Sequence, residues 1–519
     1  MSSLDKSPLF EAIWLKRISF FALLVLIIFP VFGHLSSFNI FLWDESRVAV
    51  NALEMYYNGN YLVTHYLNKP DLWNTKPPLM IWLQCTLMHV FGPGELAVRL
   101  PSAMAGLFTF LSIIGFSHSF MKKFWMGFFA TLLLITSSPY ILGHCLRSGD
   151  YDALMIFFMV FYCLSFFVFV ETGRTKWLYF SAAAVFLSIL TKGVAGPMFL
   201  PALAIYLLFQ KNRMDFFRNR HLYIAACGVL ILSAGWFFVR ELASPGYIDA
   251  YLTNDTGRFG KTIEGHIHPY YYYLEQLFDP EQFNWAWFSV AGLLAGLLFL
   301  EKRMRRFTAF LSLCIITYLI FISISATKTY WYEAPLYPFM ALAGGILFIS
   351  FSVVYEKVDR NQKVGLFILN LGLVVYLFYL PYDYIIRQTQ TNGFTTDEVQ
   401  FLPKYLKEVA DGKRMLENPV IVSNINGADL VFYQTIIRRK INPDIRIKKS
   451  WEIEPGDKVT LTKRMSKNLR FNMLFELGGV HSDGNIQFFT VGKKRVAPDI
   501  SRYKKGNAIN SKKLKPTTP

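Results

Sequence analysis

Lys76-Pro77-Pro78-Leu79-Met80-Ile81-Trp82-Leu83-Gln84-Cys85-Thr86-Leu87-Met88-His89-Val90-Phe91 is the stretch that decides how this chain is threaded. As a helix, its apolar part from Leu79 to Phe91 reaches about 20 Å at ~1.5 Å per residue. A bilayer core is roughly 30 Å thick. The stretch therefore reads as an interfacial or re-entrant helix that returns to the side it came from. Apolar runs long enough to cross are expected near 18–38, 98–119, 124–143, 153–171, 177–192, 194–210, 222–240, 285–300, 307–326, 331–354 and 364–381, about eleven in all. With the N-terminus in the cytoplasm and Leu79–Phe91 left uncounted, Lys122-Lys123, Arg174 with Lys176, Lys211 to Arg220, Lys302 to Arg306 and Lys357 to Lys363 all face the cytoplasm. That is what the positive-inside rule requires. Counting Leu79–Phe91 as a span reverses every later loop and breaks the rule.

Composition agrees. The 519 residues are 53% hydrophobic and 17% aromatic, with a mean hydropathy of +0.31. This sets the membrane class before any motif is read. The run from Ile18 to Phe38 is too long for a signal-peptide core and lacks a small-residue cleavage site, so it reads as a retained first helix. Five scattered cysteines without CxxC spacing argue against a disulfide framework.

The face opposite the basic loops receives a first outer loop (39–97), the short Arg147–Asp152 turn, a second outer loop (241–284), and everything after about Tyr382. Residues 1–381 read as the membrane domain and 382–503 as a small extracytoplasmic α/β domain. Its strands are expected at Pro419–Val422, Ile445–Ile447 and Lys458–Leu461, and its helices over Thr396–Val409 and Gly427–Arg438. Residues 504–519 read as a disordered basic tail. The region after Tyr382 holds 25 Lys/Arg against 14 Asp/Glu, so +11 of the formal +17 is expected outside the cytoplasm. Such a surface suits anionic lipid headgroups, or is ordinary solubilising charge.

Threaded this way, Asp44, Glu45, Arg147, Asp150, Asp152, Lys192 and Lys328 gather on one leaflet. Ionisable groups at membrane depth are costly unless they line a polar cavity. A carboxylate there can take a proton from an attacking acceptor, while Lys and Arg hold a phosphate and stabilise its charge as it leaves. A lipid-phosphate donor suits a cavity open to the bilayer. The bland alternatives are snorkelling anchors, an N-cap for Asp44 and a turn residue for Asp150.

An ordered series of motifs runs through this constellation. It comprises Trp43-Asp44-Glu45-Ser46-Arg47, Ala52-Leu53-Glu54-Met55, Gly59-Asn60-Tyr61, Lys76-Pro77-Pro78-Leu79, Val98-Arg99-Leu100-Pro101-Ser102 and Arg147-Ser148-Gly149-Asp150-Tyr151-Asp152. Thr191-Lys192-Gly193, Gly196-Pro197, His268-Pro269 before Tyr271-Tyr272-Tyr273, and Lys328 ahead of Tyr332, Pro335 and Pro338 continue it. The series resembles the family 39 lipid-linked-sugar glycosyltransferases, which include the lipid A aminoarabinose transferases and the protein O-mannosyltransferases. The resemblance covers the chain to about residue 350. It implies a mainly α, polytopic GT-C membrane fold and transfer, with inversion, from a polyprenyl-phosphate sugar. On that resemblance Asp44 is the catalytic acidic residue, a general base, with Glu45 and Arg47 beside it and Glu45 read as catalytic with it. Asp152 is a second acidic position, and Lys76 and Lys192 contact the donor phosphate. Arg47, Arg147 and Lys328 are read as further phosphate ligands, and Asp150, His268 and Tyr332 as lining the substrate cavity. One departure stands out: aminoarabinose transferases tend to carry Glu before the Lys-Pro motif, where this chain has Thr75.

Asp150 and Asp152 form an acidic pair able to take Mg²⁺ or Mn²⁺, so a divalent cation is a candidate cofactor, and no other is implied. His266 and His268 lack a third ligand of metal spacing. Tyr270–Tyr273, Trp285, Trp287 and Trp331 read as an interfacial aromatic belt. The expected partners are a polyprenyl-phosphate-linked sugar, membrane lipids, and an acceptor that is lipid A, another lipid or glycan, or a protein. Nucleic acid is not among them. The competing class is a transporter or flippase of lipid-linked sugars, disfavoured because no internal repeat is found and the charges cluster at one leaflet.

Overall fold

The computed structural model describes residues 13–262, 265–279, 285–355, 360–391, 398–425, 427–468 and 474–495. It divides into two compact units, Met1–Thr395 and Thr396–Pro519.

In the first unit, seven helices among the described residues are long and apolar enough to cross a membrane: Ile13–Phe32, Glu95–Phe120, Asp152–Thr172, Thr175–Ala195, Arg220–Ala243, Lys302–Ile324 and Tyr330–Phe351. Leu79–Phe91, Phe124–Ile135 and Ala286–Phe299 are apolar but shorter. The chain is a multi-pass membrane protein. Leu79–Phe91 is a separate helix of 13 residues starting directly after Pro78, as its length and prolines predict.

Several expected spans end elsewhere. The first stops at Phe32 and gives way to turns. The expected 124–143 span is two helices, because Pro139 starts a fresh turn over Ser138–Leu142. The expected 194–210 span is a 3₁₀ turn at Gly193–Ala195 followed by Leu200–Leu208. Gly196-Pro197 and Pro201 interrupt it, since Pro lacks the N–H a helix interior needs. Such interruptions are tolerated where neighbouring protein rather than lipid surrounds the backbone. The last expected span, 364–381, belongs to a helix running Arg360–Thr391. Its polar end is held by a Tyr382 hydroxyl bond to the Leu26 carbonyl (2.9 Å) and an Asp383–Arg387 ion pair (2.7 Å). The unit boundary therefore falls after Thr395 rather than at 381/382.

Phe124–Ile135, Ala286–Phe299 and Tyr337–Tyr355 pack through glycines. A Cβ on Gly292 would meet the Ala343 carbonyl oxygen at 1.8 Å, and one on Gly345 would meet the Met126 oxygen at 2.4 Å. Small residues of this kind let membrane helices approach backbone to backbone. At one end of the bundle three basic loops meet: Lys123 pairs with Glu301 (3.6 Å), Arg306 with Glu171 (2.6 Å), and Arg303 lies over the Phe120 ring. Asp152 and Glu171 lie near opposite ends of a 21-residue helix, about 30 Å apart by helix rise. Asp152 therefore lies at the end opposite the basic loops.

Between the first span and Leu79–Phe91, the helix Asp44–Asn58 is followed by a small hairpin, β1 (His65–Tyr66) and β2 (Lys69–Pro70). Its two-residue turn, Leu67-Asn68, has positive φ at both positions, as a hairpin turn of that length demands.

The second unit holds the remaining strands: β3 (Val420–Val422), β4 (Arg446–Lys448), β5 (Lys458–Thr462), β6 (Phe475–Asp483) and β7 (Ile486–Lys494), in the order β4-β3-β5-β7-β6. β3 is parallel to β4 and β5, and β7 runs antiparallel to β5 and β6. Phe401–Ala410 and Ala428–Lys440 are its longer helices. Val420, Val422, Val459, Leu461, Phe489 and Val491 form the core. The three expected strands and two expected helices are all present within a few residues. The β6–β7 hairpin was not anticipated, because Gly478-Gly479 interrupts its alternation. The expected tail at 504–519 lies outside the described residues.

Candidate active site

Trp43, at φ 77°, turns the chain into the Asp44–Asn58 helix, and its carbonyl accepts the Ser46 hydroxyl (2.8 Å) and the Arg47 amide (3.1 Å). A positive φ at a bulky residue is strained and persists only where surrounding contacts enforce it. One residue on, Asp44 is exposed and Glu45 is buried. Glu45 is fully engaged. Oε1 and Oε2 accept from Arg99 (2.7 and 2.9 Å), Oε2 from the Phe41 amide (2.6 Å) and Oε1 from the Gly149 amide (2.8 Å). A Cβ at Gly149 would meet Val98 Cγ1 at 2.3 Å, so glycine is required for this approach. Glu45 therefore locks the Asp44 helix against the 143–151 turn instead of facing substrate, a correction to its expected catalytic place.

That lock brings Asp44 to the turn. Asp44, His144 and Asp150 each offer one donor atom, all within 4.8 Å of one another. Asp150 is 3.5 Å from His144 and accepts its neighbour's Tyr151 amide at 2.7 Å. Burial works against the His144 cation, but the hydrogen bond and charge of Asp150, with Asp44 and Asp152 beyond, leave its pKa raised. Burial pushes Asp150 up, but His144 and Lys192 hold it well below the usual carboxylate range. Asp152, the first residue of its helix, turns the other way and accepts from Lys192 at 2.6 Å. The acidic pair expected to share a cation is thus divided: Asp150 joins Asp44 and His144, while Asp152 belongs to Lys192. Two ligands of one ion lie up to about 5 Å apart at ~2.5 Å metal–oxygen distances. Asp44, His144 and Asp150 therefore fit a divalent cation as a mixed O/N donor set.

Lys76 lies 3.8 Å from Asp255, whose carboxylate also accepts the Thr75 hydroxyl, and 5.5 Å from the Tyr151 ring centre. An acid thus stands beside Lys76 although position 75 is Thr; it comes from the second outer loop. Arg258 in the same loop sits in the field of Tyr332, Asp255 and Asp44. Burial lowers its pKa, but these groups outweigh it and leave it raised. The Tyr251 hydroxyl closes the loop onto the Lys192 end, accepting the Val194 amide (2.8 Å). Tyr332 accepts the Tyr318 hydroxyl through its carbonyl (3.0 Å), and His144 stacks on Trp331 at 4.3 Å.

Three expected phosphate ligands are turned elsewhere. Arg47 grips buried Asp71 (2.7 and 2.8 Å) under the Tyr66 ring. Arg147 donates to the Pro30 carbonyl (3.0 Å), which lies in the last turn of the first helix where carbonyls lack intrahelical partners; burial and nearby Arg99 bring its pKa down to about 10. Lys328 donates to the Ser325 carbonyl (2.6 Å), and burial lowers its pKa. His268 stacks on Tyr272 (4.1 Å) and is exposed. Glu333 is buried and accepts the Tyr337 hydroxyl (2.6 Å). His144, Asp255 and Arg258 were missed. His144 satisfied the criterion that selected Arg147, an ionisable residue beside a span. Asp255 and Arg258 lie in a long loop whose return to the site no local pattern signals.

A bundle of membrane-length helices that gathers acids and bases at one end, followed by a small α/β unit, defines a class: the polytopic GT-C fold. Solved structures agree. ArnT from Cupriavidus metallidurans bound to undecaprenyl phosphate superposes with a TM-score of 0.66, covering 92% of this chain and 98% of that one at 16% identity. The Archaeoglobus fulgidus oligosaccharyltransferase complex with zinc and sulfate gives 0.53, covering 91% and 73% at 12% identity. At such identities the likeness is one of fold. In sequence, the family described as dolichyl-phosphate-mannose-protein mannosyltransferase matches residues 75–237. The undecaprenyl phosphate-α-4-amino-4-deoxy-L-arabinose arabinosyl transferase of Aeromonas hydrophila is 26% identical over 350 residues, 64% of this chain and 60% of the relative. That of Pseudomonas savastanoi is 25% identical over 317 residues, 57% and 55%. The chain thus spans 60% or less of the length of these relatives. The resemblance read from the ordered motifs holds: this is a GT-C chain similar to the aminoarabinose transferases.

Proposed function

We propose that the chain is an inverting glycosyltransferase that moves a sugar from a polyprenyl-phosphate donor to a lipid A, glycan or protein acceptor. The observation that carries this reading is the exposed Asp44 carboxylate gathered with His144 and Asp150 within 4.8 Å, beside the Lys192–Asp152 pair. The curated relatives are named for transfer from undecaprenyl phosphate. The acceptor hydroxyl or phosphate oxygen attacks the anomeric carbon while Asp44 takes any proton released. The bond from that carbon to the phosphate oxygen breaks, and the electron pair leaves with the polyprenyl phosphate. Lys76, Lys192 and Arg258 face the charge that builds there. Asp152 holds the Lys192 ammonium in place. A divalent cation on Asp44, His144 and Asp150 would supply Lewis-acid stabilisation of phosphate oxygens. The site lies at the end away from the basic loops, which supports a periplasmic location for it in a bacterial inner membrane.

Radiolabel transfer from a panel of polyprenyl-phosphate sugars to total membranes tests the reading, with purified wild type beside Asp44→Asn. A general base contributes roughly 10²–10⁴-fold. Asp44→Asn should lose at least about a hundredfold in rate while keeping its fold and insertion. Full activity in that variant sinks the assignment. Lipid-linked sugar crossing liposome membranes without label transfer would favour the flippase.

A further inference from the structure

Arg240 stands in the last turn of the Arg220–Ala243 helix, a helix whose buried residues are Ala225 and Arg240 alone. The rest of it is exposed or half-buried, yet Arg240 is only 1% exposed. Among the described residues, neither Nη1 nor Nη2 has a hydrogen-bond partner. The acids whose charge reaches it, Asp71 and Glu241, are committed elsewhere. Asp71 is held by Arg47 and Asn51. Glu241 accepts the Gly246 and Ile248 amides at 2.7 Å each. The guanidinium lies 4.5 Å from the Tyr247 ring centre. Such a cation–π contact and the helix C-terminus favour the charge but give it no hydrogen bond. Leaving a buried charge without hydrogen bonds is strongly unfavourable. Packing alone does not account for Arg240.

Its surroundings say what would complete it. The Tyr247 hydroxyl donates to the carbonyl of Thr75 (2.7 Å), the residue before Lys76. Tyr247 thus covers one cation and touches the loop leading to the other. The same segment holds Lys76 through Asp255 (3.8 Å). It begins at Gly246 with φ +90°, a backbone position where glycine turns without strain. Lifting the segment about Gly246 would uncover Arg240 and release Lys76 from Asp255, next to a helix with a long exposed apolar face.

We infer that Arg240, together with Lys76, binds a phosphate oxyanion on a lipid that enters along the Arg220–Ala243 helix. The inference rests on the proposed reading of the site as one for a phosphate-linked lipid. The guanidinium supplies planar, paired donors that suit phosphate oxygens, and the lipid chain stays on the apolar helix face.

The test measures binding of undecaprenyl phosphate, undecaprenol and phosphatidylglycerol to the full-length protein in nanodiscs, for wild type, Arg240→Gln and Arg240→Lys. Arg240→Gln should weaken undecaprenyl phosphate by about tenfold or more and leave undecaprenol within about twofold, with Arg240→Lys between. Undecaprenyl phosphate bound equally by wild type and Arg240→Gln overturns the inference while leaving the donor reading intact. A matching loss for phosphatidylglycerol supports the phosphate site and assigns it to bilayer lipid as well. Wild type that binds undecaprenyl phosphate no better than undecaprenol overturns the donor reading, and phosphatidylglycerol binding indifferent to Arg240→Gln then removes this inference too. Should Arg240→Gln fail to fold, Tyr247→Leu decides. Uncovering the guanidinium should tighten undecaprenyl phosphate severalfold, and unchanged or weaker binding overturns the inference.

Discussion

Asp44 and Glu45 are adjacent in the chain, and the helix that carries them leaves Asp44 exposed while burying Glu45 against Arg99. Glu45 and Arg99 are both 2% exposed in their side chains, so removing one charge strands the other. Breaking a buried pair in this way typically costs about 3–5 kcal/mol. Glu45→Gln should therefore lower the thermal midpoint of the detergent-solubilised protein by several degrees, while Asp44→Asn leaves it within about one degree. A wild-type midpoint for Glu45→Gln would show that the pair does not hold the site together. The two acids looked equivalent in sequence because both follow the first span. Which one faces inward depends on Arg99, 54 residues further on, and no local pattern connects them. Arg47 and Arg147 misled for the same reason: a basic residue at the right depth says nothing about the carboxylate or carbonyl nearest to it in space. Lys192 and Asp152 were legible because each ends or begins a long apolar run, and the runs put those ends at one level.

At the scale of elements, the short helix Leu79–Phe91 settles which way every later loop faces, and its 13 residues are too few to cross. Both of its flanks should therefore be on one side. In a background with the native cysteines replaced, single cysteines at Asn60 and Gly94 should both react with a membrane-impermeant maleimide in intact spheroplasts. One at Lys211 should react only after lysis. Labelling of Asn60 without Gly94 would make the helix a full span and reverse the topology after it. The apolar period and the basic loops made most spans readable. The breaks at Pro139 and Gly196-Pro197 were missed because hydropathy averages over a proline that the backbone cannot ignore. Likewise the polar residues after Leu380 concealed a helix that continues to Thr391, where an ion pair and a hydroxyl bond add to the burial of Ile385.

Across the whole molecule, the division after Thr395 predicts two unfolding events, because each unit has its own core. A single buried acid supplies a handle on one of them. Asp429, in the first turn of the Ala428–Lys440 helix, is 1% exposed, and neither carboxylate oxygen has a hydrogen-bond partner among the described residues. Burial raises its pKa from 3.8 to about 6. The folded unit then prefers the protonated acid, so its stability is greatest below about pH 4. Stability declines as pH rises through about 6, where the unfolded chain has already released its proton. At ~1.4 kcal/mol per unit, the loss by neutral pH is up to about 3 kcal/mol. Asp429→Asn should therefore raise the midpoint of the second unit at pH 7.5, give little gain at pH 4, and flatten its dependence on pH between them. Differential scanning of the full-length protein in detergent checks this, since the transition of the membrane unit and sugar transfer at the Asp44 site should both stay put. If both transitions moved together, the two units would be one cooperative body. If neither moved, Asp429 would have to be solvated in the native state.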